Sequence, residues 1–160
     1  QEGMLRLAGR DGDGAIINWL SAADVERVAG IVASEGPGKE VVARIFVCPS
    51  DDRDQVLAGG RFVMAAYLNV PVYRAFHEWM GRGELLGEHW EQWAAGDRKG
   101  ALEKIPDKVV GDLIVHGTPD ECRAHIQRYV DAGVTCPALA VMPLTGGDVR
   151  QAVRDLAPVD

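Results

Sequence analysis

Hydrophobic positions fall along this chain in short unbroken runs, separated by segments with helical spacing. Ala15-Ile16-Ile17-Asn18-Trp19-Leu20 follows the turn dipeptide Asp13-Gly14 and stops at Ser21, which predicts a buried strand. Ser21 with Asp24 three residues on is a capping-box start, and Val25, Val28, Ala29 and Val32 then recur on one helical face until Gly36-Pro37-Gly38 ends them. Val41 to Cys48 is β-branched and aromatic, closed by Pro49-Ser50-Asp51-Asp52, and predicts a second strand. Thr118-Pro119-Asp120-Glu121 combines an N-cap, a proline at the first helical position and a capping carboxylate, with Cys122, Ile126, Tyr129 and Val130 on one face before Gly133. Beyond that glycine, Val134 to Pro143 predicts a third strand, apolar on both faces from Ala138 to Met142.

Continuous rather than alternating strands, with helices between them, are the pattern of a parallel sheet joined by right-handed crossovers, so the expected class is α/β. Met4, Leu5, Leu7 and Ala8 have helical spacing, so the chain opens on a helix. Between the second and third strands lies a long excursion, residues 51–117, cut by Pro71, Gly81, Gly83, Gly96 and Pro106 into short helices. It holds seven of the ten aromatic residues, which makes it packing and oligomer-contact material or a lid over a pocket. Three strands leave both sheet edges uncovered and suit part of a (β/α)₈ barrel, which needs eight strands and ~250 residues. The 160 residues are read as one partial domain, 1–160, with an upstream portion missing.

Composition narrows the function classes. A chain that is 47% hydrophobic and 26% charged is an ordinary folded domain, and its net charge of −7 repels nucleic acid and anionic membranes. No apolar run approaches the ~18 residues of a membrane span, and Gln1 to Arg10 lacks a signal-peptide pattern, so a cytoplasmic location is expected. Cys48, Cys122 and Cys136 are read as reduced thiols. Gly9-Arg10-Asp11-Gly12-Asp13-Gly14 follows a helix and opens a strand, the reverse of a dinucleotide loop, and lacks the ligands of a calcium loop. His77, His89, His116 and His125 have no ligand-like spacing, so no metal site is expected. No serine lies in a nucleophile elbow and no phosphate-cradling loop is present.

Gly3 to Gly9, Asp13 to Leu20, Ala43 to Pro49, Gly117 to Cys122 and Tyr129 to Gly133 resemble, in order and spacing, the C-terminal half of the luciferase-like monooxygenase superfamily. Within it the likeness is to the oxidoreductases that use the deazaflavin coenzyme F420. The resemblance implies a (β/α)₈ barrel with an insertion before its last strand, the three strands here being the sixth, seventh and eighth. It implies hydride transfer between F420 and a small organic substrate, with an FMN-dependent monooxygenase as the alternative, and a homodimer. Active sites of such barrels lie at the C-terminal ends of the strands. By resemblance, Gly3 and Met4 meet the coenzyme phosphate at a helix N-terminus, Asn18 joins them in cofactor binding, and Ile17, Trp19 and Cys48 wall the substrate pocket. The family's proton-transfer residues come from its first strands and have no counterpart here, so no catalytic acid or base is named. A non-enzymatic reading also stands: a half-barrel whose exposed edges serve self-association.

Overall fold

The computed structural model describes residues 1–158. Helix α1 (Glu2–Asp11) leads into strand β1 (Gly14–Asn18), helix α2 (Ala22–Ala33) and strand β2 (Glu40–Pro49). Five helices follow, α3 (Arg53–Leu68), α4 (Pro71–Trp79), α5 (Gly83–Ala94), α6 (Arg98–Glu103) and α7 (Asp107–Leu113). The chain continues through strand β3 (Ile114–Gly117), helix α8 (Pro119–Asp131), strand β4 (Cys136–Val141) and helix α9 (Val149–Asp155). All ladder pairings are parallel.

The local signals act as expected at both capped helices. Ser21 Oγ accepts from the Asp24 N–H at 3.2 Å while Asp24 Oδ2 accepts from the Ser21 N–H at 2.7 Å. Thr118 and Glu121 close the same reciprocal box at the start of α8. These two helices and β2 build the core on one side of the sheet, here termed outer. Ala15, Ile17, Val41, Ala43, Ile45 and Val47 pack there with Val25, Val28 and Val32 of α2 and with Cys122 and Tyr129 of α8. The Tyr129 hydroxyl donates to the Leu20 carbonyl at 2.9 Å, fixing α8 to the end of β1, and burial raises that hydroxyl's pKa.

β2 is the central strand. Its residues 40–44 pair with β1 and 42–47 with β4, so these two flank it on opposite edges. Phe46 and Val47 pair with β4 and also with β3, which therefore lies on the β1 edge, beyond the end of β1. The described sheet thus has four strands where three were expected. β3 was hidden because it continues directly from α7, which ends at Leu113, so that the short run Leu113-Ile114-Val115 straddles the boundary between helix and strand.

The insertion carries its own core and lays it over the C-terminal half of the inner face of the sheet. Trp19, Phe46 and Cys48 pack there with Val56, Met64 and Leu68 of α3, Leu86 and Trp90 of α5, and Val110 and Leu113 of α7. The remainder of that face is open: Ile16 is 82% exposed and Arg44 is exposed. β4 departs from expectation in the same way. Instead of being buried on both faces, Cys136 to Leu139 are exposed, because β2 alone pairs with the strand and little else covers it.

One buried ion pair fastens the insertion to the outer helices. Arg82, between α4 and α5, donates through Nη2 to Asp24 Oδ2 and, at 3.3 Å, to Ser21 Oγ at the start of α2. The two charged side chains are only 8% and 10% exposed. His77 is buried nearby, and burial together with the Arg82 charge lowers its pKa to about 4, the Asp24 charge opposing weakly.

Candidate functional site

The C-terminal end of β1 is where the backbone changes character. Trp19 takes φ of 57°, the left-handed region, which costs a bulky residue about 1–3 kcal/mol and persists only where packing holds it. The packing is aromatic. Trp19 stacks on Phe46 with ring centroids 3.9 Å apart and planes at 22°, and Tyr67 of α3 closes from the side at 5.0 Å. Tyr73 of α4 then meets Tyr67 edge-on at 5.5 Å. Two neighbouring polar atoms at this strand end, Asn18 Oδ1 and Trp19 Nε1, are buried with no hydrogen-bond partner. An unmet buried acceptor or donor is expensive, so such atoms mark places where another group belongs.

A groove of about 760 Å³ runs beside β1, between α1 and α4. Met4, Leu5, Ile16, Asn18, Tyr73 and Phe76 are among its lining residues, so it is largely apolar with few polar groups, as ligand sites of this size are. Helix α1 opens at one end of it. Its N-cap, Gln1, makes no side-chain cap, and a Cβ at Gly3 would meet nothing within 4 Å. Uncapped first-turn N–H groups with open approach suit an anion on electrostatic grounds. A second cavity of about 400 Å³ lies at the ends of β2, β3 and β4, lined by Cys48, Asp51, Gly117, Thr118, Met142 and Asp148 among others. Acidic side chains around it make it a poor host for anions.

The structure therefore gathers some of the expected site residues and separates others. Met4, Ile17 and Asn18 meet in the groove, with Gly3 at the adjoining helix start. Ile17 reaches it from the outer side, where its side chain belongs to the helix-facing core. Trp19 is 2% exposed and lines neither of these two spaces, serving instead as the floor on which Phe46 and Tyr67 rest. Cys48 is buried at the second cavity, away from the groove. Nearby, burial pushes the Cys122 thiol up to about 11, with the Glu121 carboxylate adding to it.

Sequence reasoning offered the insertion as a lid over a pocket but did not single out Val72, Tyr73 and Phe76 as its contribution to the groove. Its aromatic content was the only signal, and nothing local says which ring faces which strand. It also passed over Arg44, a charge in the middle of the apolar run Val41 to Cys48, which was visible as an interruption. Among the described residues no group of three or more His, Cys, Asp or Glu side chains is placed to hold a metal ion, and no helix is long and apolar enough to cross a membrane.

Comparison with known proteins identifies the family and the fold. Residues 1–136 match the model of the luciferase-like monooxygenase family. A Mycobacterium tuberculosis protein named as a coenzyme F420-dependent oxidoreductase is 31% identical over 128 residues, 74% of this chain and 34% of that protein. The 5,10-methylenetetrahydromethanopterin reductase of Methanolobus tindarius is 30% identical over 145 residues, 82% of this chain and 43% of its own length. Among solved structures, the coenzyme F420-dependent tetrahydromethanopterin reductase of Methanopyrus kandleri superimposes with a TM-score of 0.73 at 21% identity, over 98% of this chain and 46% of the other. The parallel α/β architecture is thus that of the F420-dependent reductase fold, and the chain spans less than half the length of each of these relatives.

Proposed function

Because the chain belongs to the luciferase-like monooxygenase family, we propose that it forms the C-terminal part of a coenzyme F420-dependent oxidoreductase acting on a small organic substrate. In this reading β1, β2 and β4 are the sixth, seventh and eighth strands of a (β/α)₈ barrel. The observation that carries it is the groove beside β1, where an unpartnered buried acceptor, Asn18 Oδ1, lies in an apolar space next to an uncapped helix start. The residues present fit the coenzyme. Gly3 of α1 offers its backbone N–H to the phosphate with Met4 beside it, whose own N–H donates to the Gln1 carbonyl at 3.1 Å, Asn18 accepts from the ring, and Ile16, Tyr73 and Phe76 exclude water around it. Bound there, a deazaflavin supplies hydride chemistry. The contribution of this chain is to hold donor and acceptor in one orientation in a dry site. Trp19 would support the substrate side from beneath Phe46 and Tyr67, and the insertion helices would supply contacts for a homodimer.

Titration of the protein with oxidised F420 and, separately, with FMN tests the proposal. Saturable binding of F420, weakened about tenfold or more when Asn18 is changed, is the expected result, and binding of neither would overturn it. The family match to monooxygenases favours one second reading, an FMN-dependent enzyme in the same groove. Binding of FMN with oxygen uptake by its reduced form would support that reading.

A further inference from the structure

The insertion meets α2 at a buried polar cluster built wholly from this chain. His77 of α4 is 1% exposed, and Arg82, in the turn before α5, is 6% exposed. The Arg82 N–H donates to the His77 carbonyl at 2.8 Å, so the two residues are bonded neighbours across the Met80-Gly81 turn. Through Nη2 the guanidinium reaches Asp24 Oδ2 and Ser21 Oγ. Its other terminal nitrogen, Nη1, is buried without a hydrogen-bond partner among the described residues, and so is Nδ1 of His77. Two unmet polar atoms on adjacent buried side chains mark a place where another group belongs.

The chemistry of the cluster says what that group is. Guanidinium nitrogens only donate, so Nη1 needs an acceptor. The His77 ring is neutral, because burial and the Arg82 charge both disfavour its cation, the Asp24 charge opposing weakly. A neutral imidazole has one acceptor nitrogen, and beside a group that offers only donors that nitrogen is Nδ1, with the proton on Nε2. A guest must therefore accept from Arg82 and donate to His77. Arg82 and Asp24 already balance in charge, so an ionic guest would leave a charge uncompensated away from water. Solvent is close by: Ser21, which accepts from Arg82 Nη2, also lines an outer cleft of about 730 Å³ between α2, α7 and α8. We infer that one buried water molecule is a structural ligand of this cluster, accepting from Arg82 Nη1 and donating to His77 Nδ1. His77 follows Phe76 and stands one helical turn after Tyr73, the two α4 rings that line the groove, so the water helps set where that wall of the groove stands. His77 is thus a positioning residue, whatever ligand the groove takes.

The test begins with a crystal structure of the wild-type protein. An oxygen should lie about 2.7–3.2 Å from both His77 Nδ1 and Arg82 Nη1. Arg82 Nη1 bonded directly to His77 Nδ1, or to another protein acceptor, overturns the inference. Long-range proton–nitrogen spectra of the His77 ring at neutral pH should place its proton on Nε2. A ring protonated at Nδ1 would make both atoms donors and overturns the inference as well. Magnetic relaxation dispersion of the water oxygen nucleus then counts long-lived internal waters in wild type and in His77→Phe, which keeps a ring and removes the acceptor. The count should fall by one in the variant, and an equal count in the two overturns the inference. The two wild-type measurements decide the matter even where His77→Phe fails to fold.

Discussion

Replacing Arg82 by Met removes one partner of the Arg82–Asp24 pair and leaves the carboxylate of Asp24 in a pocket where its side chain is only 10% exposed. Breaking a buried pair on one side costs about 3–5 kcal/mol, far more than the pair's net worth, because the remaining charge is stranded. Asp24 keeps its bond from the Ser21 N–H, which places the expected loss near the lower bound, about 3 kcal/mol. At about 2–4 °C per kcal/mol for a chain of this size, the melting temperature should fall by about 6–12 °C. Urea denaturation of Arg82→Met, Asp24→Asn and the double variant gives the coupling directly, and the double variant should lose less than the sum of the singles. A surface pair provides the contrast. Lys104 and Glu88 are 43% and 69% exposed, and Lys104→Ala should change stability by less than about 1 kcal/mol. If Arg82→Met cost no more than Lys104→Ala, the insertion would not be fastened at α2, and the placement of Tyr73 and Phe76 over the groove would lose its physical cause.

Stability should also fall in acid. His77 is 1% exposed and its folded pKa lies at about 4 against an ordinary 6.5, so the unfolded chain binds a proton that the folded chain refuses. Its contribution is complete above about pH 6.5 and is lost as pH falls toward 4, about 3 kcal/mol in all, and His77→Leu should flatten that part of a melting-temperature profile. An unchanged slope in His77→Leu would assign the effect to other groups, among them His125, also lowered to about 4 by burial and by the Arg128 charge. In α3, a Cβ at Gly60 would lie 2.6 Å from Val110 Cγ1 of α7, so Gly60→Ala should destabilise by about 1–3 kcal/mol through overpacking, and denaturation that matches wild type would mean the two helices are not in close contact.

Much of this architecture was legible because its signals are local. The capping residues Ser21 and Thr118 start their helices where the sequence says, and the runs at Ile16 and Ile45 are strands because short, β-branched apolar runs bounded by turn residues suit a buried sheet better than a helix. The shortfalls are non-local. β3 is four residues long and is defined by its pairing with Phe46 to Pro49, which no window on Ile114 to Gly117 contains. The exposure of β4 follows from having β2 as its one neighbour, again a property of the sheet rather than of Ala138 to Val141. At the candidate site, the alternation of a strand separates Ile17 from Asn18 onto opposite faces. The resemblance could name both residues, but only the ladder register sets Arg44 beside Asn18, and only the packing of α3 makes Trp19 a floor under Tyr67.

The most direct measurement is a crystal structure of the protein grown with oxidised F420. The account predicts the ring in the groove beside β1, one polar edge on Asn18 and its phosphate at the start of α1. A ring bound instead in the cavity at the ends of β2, β3 and β4, with Asn18 Oδ1 still unpartnered, would contradict it.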